Sequence, residues 1–180
     1  FYAGSVHKWL LGPAGIGYLF VARRQLPEFY PNLAPYPDPQ EKDQPPLTAE
    51  AQIHTGTETM SLRRGAGHVI DTFQRIGLDK IEAHGRALTR RLRDGLGALA
   101  GFEMLSPYEW ELSSGITSLR FPGWTESRVH ALIERIWTDY RVVVKFQTDF
   151  AGIRISVASF NSAEEVDRLL EALRRLIPNV

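Results

Sequence analysis

The sequence contains no cysteine, so disulfides and thiolate metal sites are excluded within the chain. It also has no net charge: 21 lysines and arginines balance 21 aspartates and glutamates. That leaves no electrostatic footprint for a nucleic acid or an anionic membrane surface. No apolar run is long enough to span a bilayer, and the start lacks the basic and apolar segments of a signal peptide. Cytoplasmic location is therefore the default expectation. None of the histidines has a partner at convincing metal-ligand spacing, so no metal site is expected. Neither a nucleophile elbow nor a Walker loop occurs, and no repeat or low-complexity tract organises the chain.

What is present is the composition of a globular protein, 43% hydrophobic and 23% charged over 180 residues. That length buries a sizeable core, as one domain or as one domain plus part of another. Residues 16–22 (Ile-Gly-Tyr-Leu-Phe-Val-Ala) read as a buried strand. Pro27 to Pro46 reads as a long irregular connection, rich in proline and polar residues. After the Thr55-Gly56-Thr57 turn a helix is expected, with Val69, Ile70, Phe73 and Ile76 on one face and Gly77 as its stop. A second helix is expected over residues 78–99, with an apolar stripe of Ile81, Leu88, Leu92, Leu96 and Leu99. Its Arg90, Arg91, Arg93 and Asp94 read as a solvated flank. Strands then alternate with helices. Residues 102–105, 116–121, 142–146 and 153–157 read as strands. Thr125 is placed to cap a helix whose inner face carries Val129, Leu132, Ile133, Ile136, Trp137 and Tyr140. Ser162-Ala163-Glu164-Glu165 has the spacing of a capping box. The helix behind it carries Val166, Leu169, Leu170, Leu173 and Ile177 on one face. A small sheet covered by helices follows.

The chemistry concentrates at Lys8. It lies in Ser5-Val6-His7-Lys8-Trp9-Leu10-Leu11-Gly12-Pro13-Ala14-Gly15-Ile16-Gly17. A lysine after a histidine and a small-residue turn, followed by a Gly/Pro-rich loop and an apolar strand, suggests a pyridoxal phosphate (PLP) site. A lysine taken out of water loses charge, and a neutral amine can form a Schiff base with an aldehyde. Burial of Lys8 is expected on that reasoning.

These residues resemble the PLP-lysine motif of the class V aminotransferase superfamily, particularly its isopenicillin-N-epimerase-like and C–S lyase-like members. The resemblance covers nearly the whole chain. It implies an α/β chain of the PLP-dependent transferase fold (fold type I), ending a large domain and adding a small C-terminal α+β domain. The implied division is 1–54 for the remnant of the large domain and the Pro-rich connection, 55–101 for connecting helices, and 102–180 for the small domain. Lys8 would carry the cofactor as a Schiff base and shuttle protons at the substrate carbon. Ser5 and His7 would donate to its phosphate. Thr55-Gly56-Thr57 is similar to the family's Gly-Thr motif, which reaches the phosphate in the other subunit, so Gly56 and Thr57 imply a homodimer with shared active sites. Arg154, in Arg154-Ile155-Ser156 followed by Phe160-Asn161, is similar to the family's arginine that binds the amino acid's carboxylate. There Phe160 replaces the usual tyrosine.

The implied function is that of a PLP-dependent enzyme acting on a small-molecule amino acid or amine. Epimerase (isomerase), C–S lyase and aminotransferase chemistries remain open. The stretch Lys145-Phe146-Gln147-Thr148-Asp149-Phe150 offers no thiolate, so cysteine desulfurase chemistry is not expected. A non-catalytic dimeric scaffold or ligand-binding homologue is the alternative. Phe1 is not methionine and falls inside what resembles an enzyme core. The chain is therefore expected to be the C-terminal half of a longer protein, inactive or nearly so alone. His54 is expected near the cofactor entrance; His68, His84 and His130 are expected to be structural or solvated.

Overall fold

In the computed structural model, which describes residues 1–29, 49 and 59–179, the chain separates into two units, Phe1–Arg75 and Ile76–Val180. Most of the Pro-rich connection, His54 and the Thr55-Gly56-Thr57 motif lie outside the described residues.

The first unit begins with an antiparallel ribbon of β1 (Tyr2–Ser5) and β2 (Gly17–Phe20), in register from Tyr2 opposite Phe20 to Ser5 opposite Gly17. A 3₁₀ helix follows at Arg23–Glu28, and helix α1 spans Met60–Ile76. The carbonyl of Thr59 accepts from the amides of Leu62 and Arg63 at 3.1 and 3.3 Å and so opens α1. The expectation of a buried strand at residues 16–22 is half right. The strand forms, but all four residues of β2 are exposed. An apolar run specifies extended backbone, whereas burial needs a second layer. Among the described residues this ribbon has only two strands.

The second unit holds the larger core. Helix α2 (Leu78–Gly97) leads to β3 (Glu103–Met104), β4 (Ile116–Arg120), α3 (Glu126–Tyr140), β5 (Lys145–Gln147), β6 (Gly152–Ser156) and α4 (Ala163–Leu176). The four strands make one antiparallel sheet in the order β3-β4-β6-β5. Period-2 alternation turns Leu119, Ile153 and Ile155 to one face, where they join Leu92 and Leu96 of α2, Val129, Leu132 and Ile136 of α3, and Leu169 and Leu173 of α4. The helix starts follow from capping. Thr125 Oγ1 accepts from the Arg128 amide at 3.3 Å. Ser162 Oγ accepts from the Glu165 amide, and Glu165 Oε2 accepts from the Ser162 amide, which completes the capping box.

Three local expectations are corrected. The strand expected at 142–146 begins only at Lys145. Arg141 closes α3 in the left-handed region (φ 57°), and the Val142 amide still bonds back to Ile136 O at 3.4 Å, so these residues belong to the helix cap. Trp137 is 47% exposed rather than inward. It lies on the rim of the α3 stripe, where the Arg141 guanidinium sits 5.3 Å from its ring centre. Arg93, read as part of a solvated flank, is 2% exposed. Its Nε donates to Thr117 Oγ1. Its Nη1 donates to Pro107 O, Tyr108 O and Ser113 Oγ, and its Nη2 to Ser114 O and Ile116 O. Burial pushes its pKa down, but a guanidinium stays charged throughout the working range. Arg93 thus ties α2 to the loop before β4 and to the first residues of β4 itself.

Candidate active site

In the N-terminal unit the candidate residues sit on one turn. The ribbon continues one step past Ser5: the Val6 amide donates to Ile16 O at 3.2 Å, and Gly12 returns its amide to Val6 O at 3.0 Å. Between these bonds lie His7 and Lys8, and the Leu11 amide closes a turn on Lys8 O at 3.1 Å. Two glycines make the crossing possible. A Cβ on Gly12 would lie 2.3 Å from Val6 Cγ1, and one on Gly17 would lie 2.8 Å from Gly4 O. Val6, 3% exposed, anchors the turn. The loop rests on α1, where Pro13 faces Gly65 and Gly15 faces Leu62.

The structure brings Ser5, His7 and Lys8 together within four positions of one constrained segment. It does not bury the lysine. Lys8 and His7 are exposed and Ser5 is half-buried. Lys8 Nζ makes no ion pair among the described residues. The physical reason is the one that exposes β2: the ribbon has no covering layer among those residues. An amine, a hydroxyl and an imidazole close together on one turn are the chemical types that suit an aldehyde-bearing phosphate ester: a covalent anchor and two anion donors. Gly56 and Thr57 lie outside the described residues.

In the C-terminal unit, Arg154 lies on β6 as the alternation requires, with Ile153 and Ile155 buried toward the helices and Arg154 on the opposite face. Ser118 of β4 and Lys145 of β5 stand directly across from it. Its Nε is buried and has no hydrogen-bond partner among the described residues. A buried guanidinium nitrogen without an acceptor is an unsatisfied donor, and a guanidinium left so is chemically suited to a carboxylate. The start of β6 packs closely on β4: a Cβ on Gly152 would lie 2.2 Å from Leu119 O.

The loop after β6 holds a residue that sequence reasoning did not assign. Asn161 Oδ1 accepts from the Ala158 amide at 2.9 Å, Nδ2 donates to Glu165 Oε2 at 3.0 Å, and its carbonyl lies 3.0 Å from His84 Nε2. These bonds hold the segment between Arg154 and α4; Asn161 lies five residues past the end of β6, and its sequence signal was its place in the Phe160-Asn161 pair that follows Arg154-Ile155-Ser156. His68 lies exposed on α1, and His130 stacks on Phe146 at 4.3 Å between ring centres. Among the described residues no group of His, Asp and Glu could hold a metal ion, and no helix is long and apolar enough to cross a membrane. A cavity of roughly 240 Å³ opens beside Thr89, Arg93, Tyr108 and Trp110. Neither Arg154 nor Lys145 lines it.

The chain is similar to known proteins over most of its length. The family model for class V aminotransferases matches residues 1–169. An isopenicillin N epimerase of Streptomyces clavuligerus is 32% identical, covering 98% of this chain and 47% of its own length. A probable cysteine desulfurase of Halobacterium salinarum is 31% identical, covering 96% of this chain and 44% of its own. Among solved structures, the apo cysteine desulfurase of Thermococcus onnurineus NA1 superposes with a TM-score of 0.79 at 25% identity, over 99% of this chain and 47% of that one. The chain thus spans about half the length of the relatives it matches. The desulfurase relatives correct one expectation. Absence of cysteine means that these 180 residues supply no thiolate; it does not exclude kinship with desulfurases.

Proposed function

The chain belongs to the class V aminotransferase family, and from that premise we propose that it is part of a PLP-dependent enzyme acting on the α-carbon of an amino acid. On this reading residues 1–54 end the cofactor domain, 55–101 connect, and 102–180 form the small domain. The observation that carries the proposal is Lys8: an amine with no ion pair among the described residues, presented on a turn held by three backbone hydrogen bonds.

PLP supplies an electron sink that weakens the bonds at the carbon beside the amine. The remaining work falls to this chain's side chains. Lys8 Nζ is the covalent anchor and, once free, holds and returns the proton at the substrate α-carbon. The Ser5 hydroxyl and a His7 ring nitrogen donate to the phosphate, and Gly56 and Thr57 add donors across a homodimer. Arg154 orients the substrate by its carboxylate through the guanidinium fork. Removal and return of one proton needs no group beyond Lys8 and a second proton carrier, and the 32% identity to an epimerase favours that outcome.

The test is reduction of the full-length protein with borohydride in the presence of PLP, followed by intact mass and peptide mapping. The expected result is a pyridoxyl group on Lys8. Folded, PLP-supplied protein with Lys8 unmodified overturns the proposal and favours a non-catalytic scaffold.

A further inference from the structure

The outer face of the C-terminal sheet carries more positive charge than one carboxylate clamp needs. Lys145 on β5 is in direct register with Arg154 on β6, so both side chains leave the same face of the sheet. Directly opposed residues of an antiparallel pair have Cβ atoms roughly 4.5–5.5 Å apart, and like charges in that position destabilise the pair. Neither cation has an ion-pair partner among the described residues. On the same face but two strands away from Arg154, the carboxylate of Glu103 is engaged by Arg120. Ser118, across from Arg154 on the other side, and Gln147, two residues from Lys145, add neutral hydrogen-bonding groups to the same surface. Two adjacent cations with no protein anion between them among the described residues are matched by two negative charges on a ligand.

Resting on the reading of Arg154 as the substrate's carboxylate clamp, we propose that Lys145 is a specificity-determining residue that receives a second anionic group on the substrate's side chain. The substrate class is then an amino acid with an acidic side chain. β5 is the edge of the sheet, and an edge lysine also guards against strand pairing between molecules. That duty requires no arginine directly opposite, whereas recognition of a dianion does.

The test is titration of the holoenzyme's cofactor absorbance with α-amino dicarboxylic acids of increasing length, from aspartate upward, each against its neutral ω-amide. The expected result is at least one acid binding about tenfold or more tightly than its amide, the scale of one charge-assisted contact. Lys145→Met abolishes that preference with the amide's affinity retained, and Lys145→Arg restores it. The proposal is overturned if no acid is preferred to its amide. It is also overturned if Lys145→Met weakens acid and amide alike, which makes Lys145 a second hand on the α-carboxylate, or changes neither, which makes it an edge guard only. Failure of the underlying reading is separate: Lys8 would then resist pyridoxyl labelling, or Arg154→Lys would leave the binding of every amino acid unchanged.

Discussion

Replacing Arg93 with methionine tests the packing logic of the C-terminal unit most directly. The side chain is 2% exposed, and its six hydrogen bonds end on four backbone carbonyls and two hydroxyls, with no carboxylate among them. Methionine keeps most of the volume and removes every donor. Hydrogen bonds to a charged group contribute about 1.5–3 kcal/mol each, but adding all of them at that value overshoots. Removing the guanidinium also removes the desolvation cost of a buried charge. In addition, the cavity beside Arg93 lets water reach some of the orphaned carbonyls. The net expectation is a loss of about 3–5 kcal/mol, the scale for breaking a buried charged network. That is a large share of the roughly 5–15 kcal/mol that holds a typical domain together. Arg93→Lys should fall between wild type and Arg93→Met, because an ammonium offers three donors from one point and cannot span Pro107, Ser113 and Ile116 at once. Urea unfolding followed by far-ultraviolet circular dichroism reads both variants. A loss below about 1 kcal/mol for Arg93→Met would refute the reasoning, as would a lysine variant as stable as wild type. The result bears on function, since Arg93 fixes the start of β4, the strand that places Ser118 across from Arg154.

Two further outcomes complement the labelling of Lys8 and the Lys145 titrations. Ser162→Ala removes one of the two capping-box bonds of α4 and should cost about 1 kcal/mol in urea unfolding; an unchanged midpoint would mean the cap is redundant. Acid should destabilise the C-terminal unit through carboxylates whose pKa values are held down in the folded state. The Asn161 side chain and the Ser162 amide hold Glu165 down, and the Arg91 guanidinium does the same for Asp167. A depressed folded pKa contributes stability above the unfolded value and loses it as pH falls through the folded one. The urea midpoint should therefore be level near neutrality and drop below about pH 4. Because the Asp167–Arg91 pair is solvent-exposed, its share of the drop should shrink in high salt. A midpoint that holds steady or rises into acid would contradict the assignment.

Local rules written in the sequence determined much of this protein. Ser162 with Glu165, and Thr125, mark helix starts because their side chains satisfy amides three residues on, a relation that needs no partner elsewhere. Alternation along residues 153–157 put Arg154 on the face opposite the core, and the Lys8 motif was legible because glycines at 12 and 17 permit a crossing that other residues block. Tertiary structure alone decided the rest. Whether the apolar strand at 17–20 is buried depends on layers beside it, not on its own composition. Arg93 looks like its charged neighbours in sequence; only the loop before β4 and the first two residues of β4, folded over α2, surround it with acceptors. Lys145 and Arg154 are nine residues apart in sequence, and nothing in that spacing says they stand side by side. The β5–β6 register does, because a strand's side-chain period is two and a shift of one residue would send Lys145 to the opposite face.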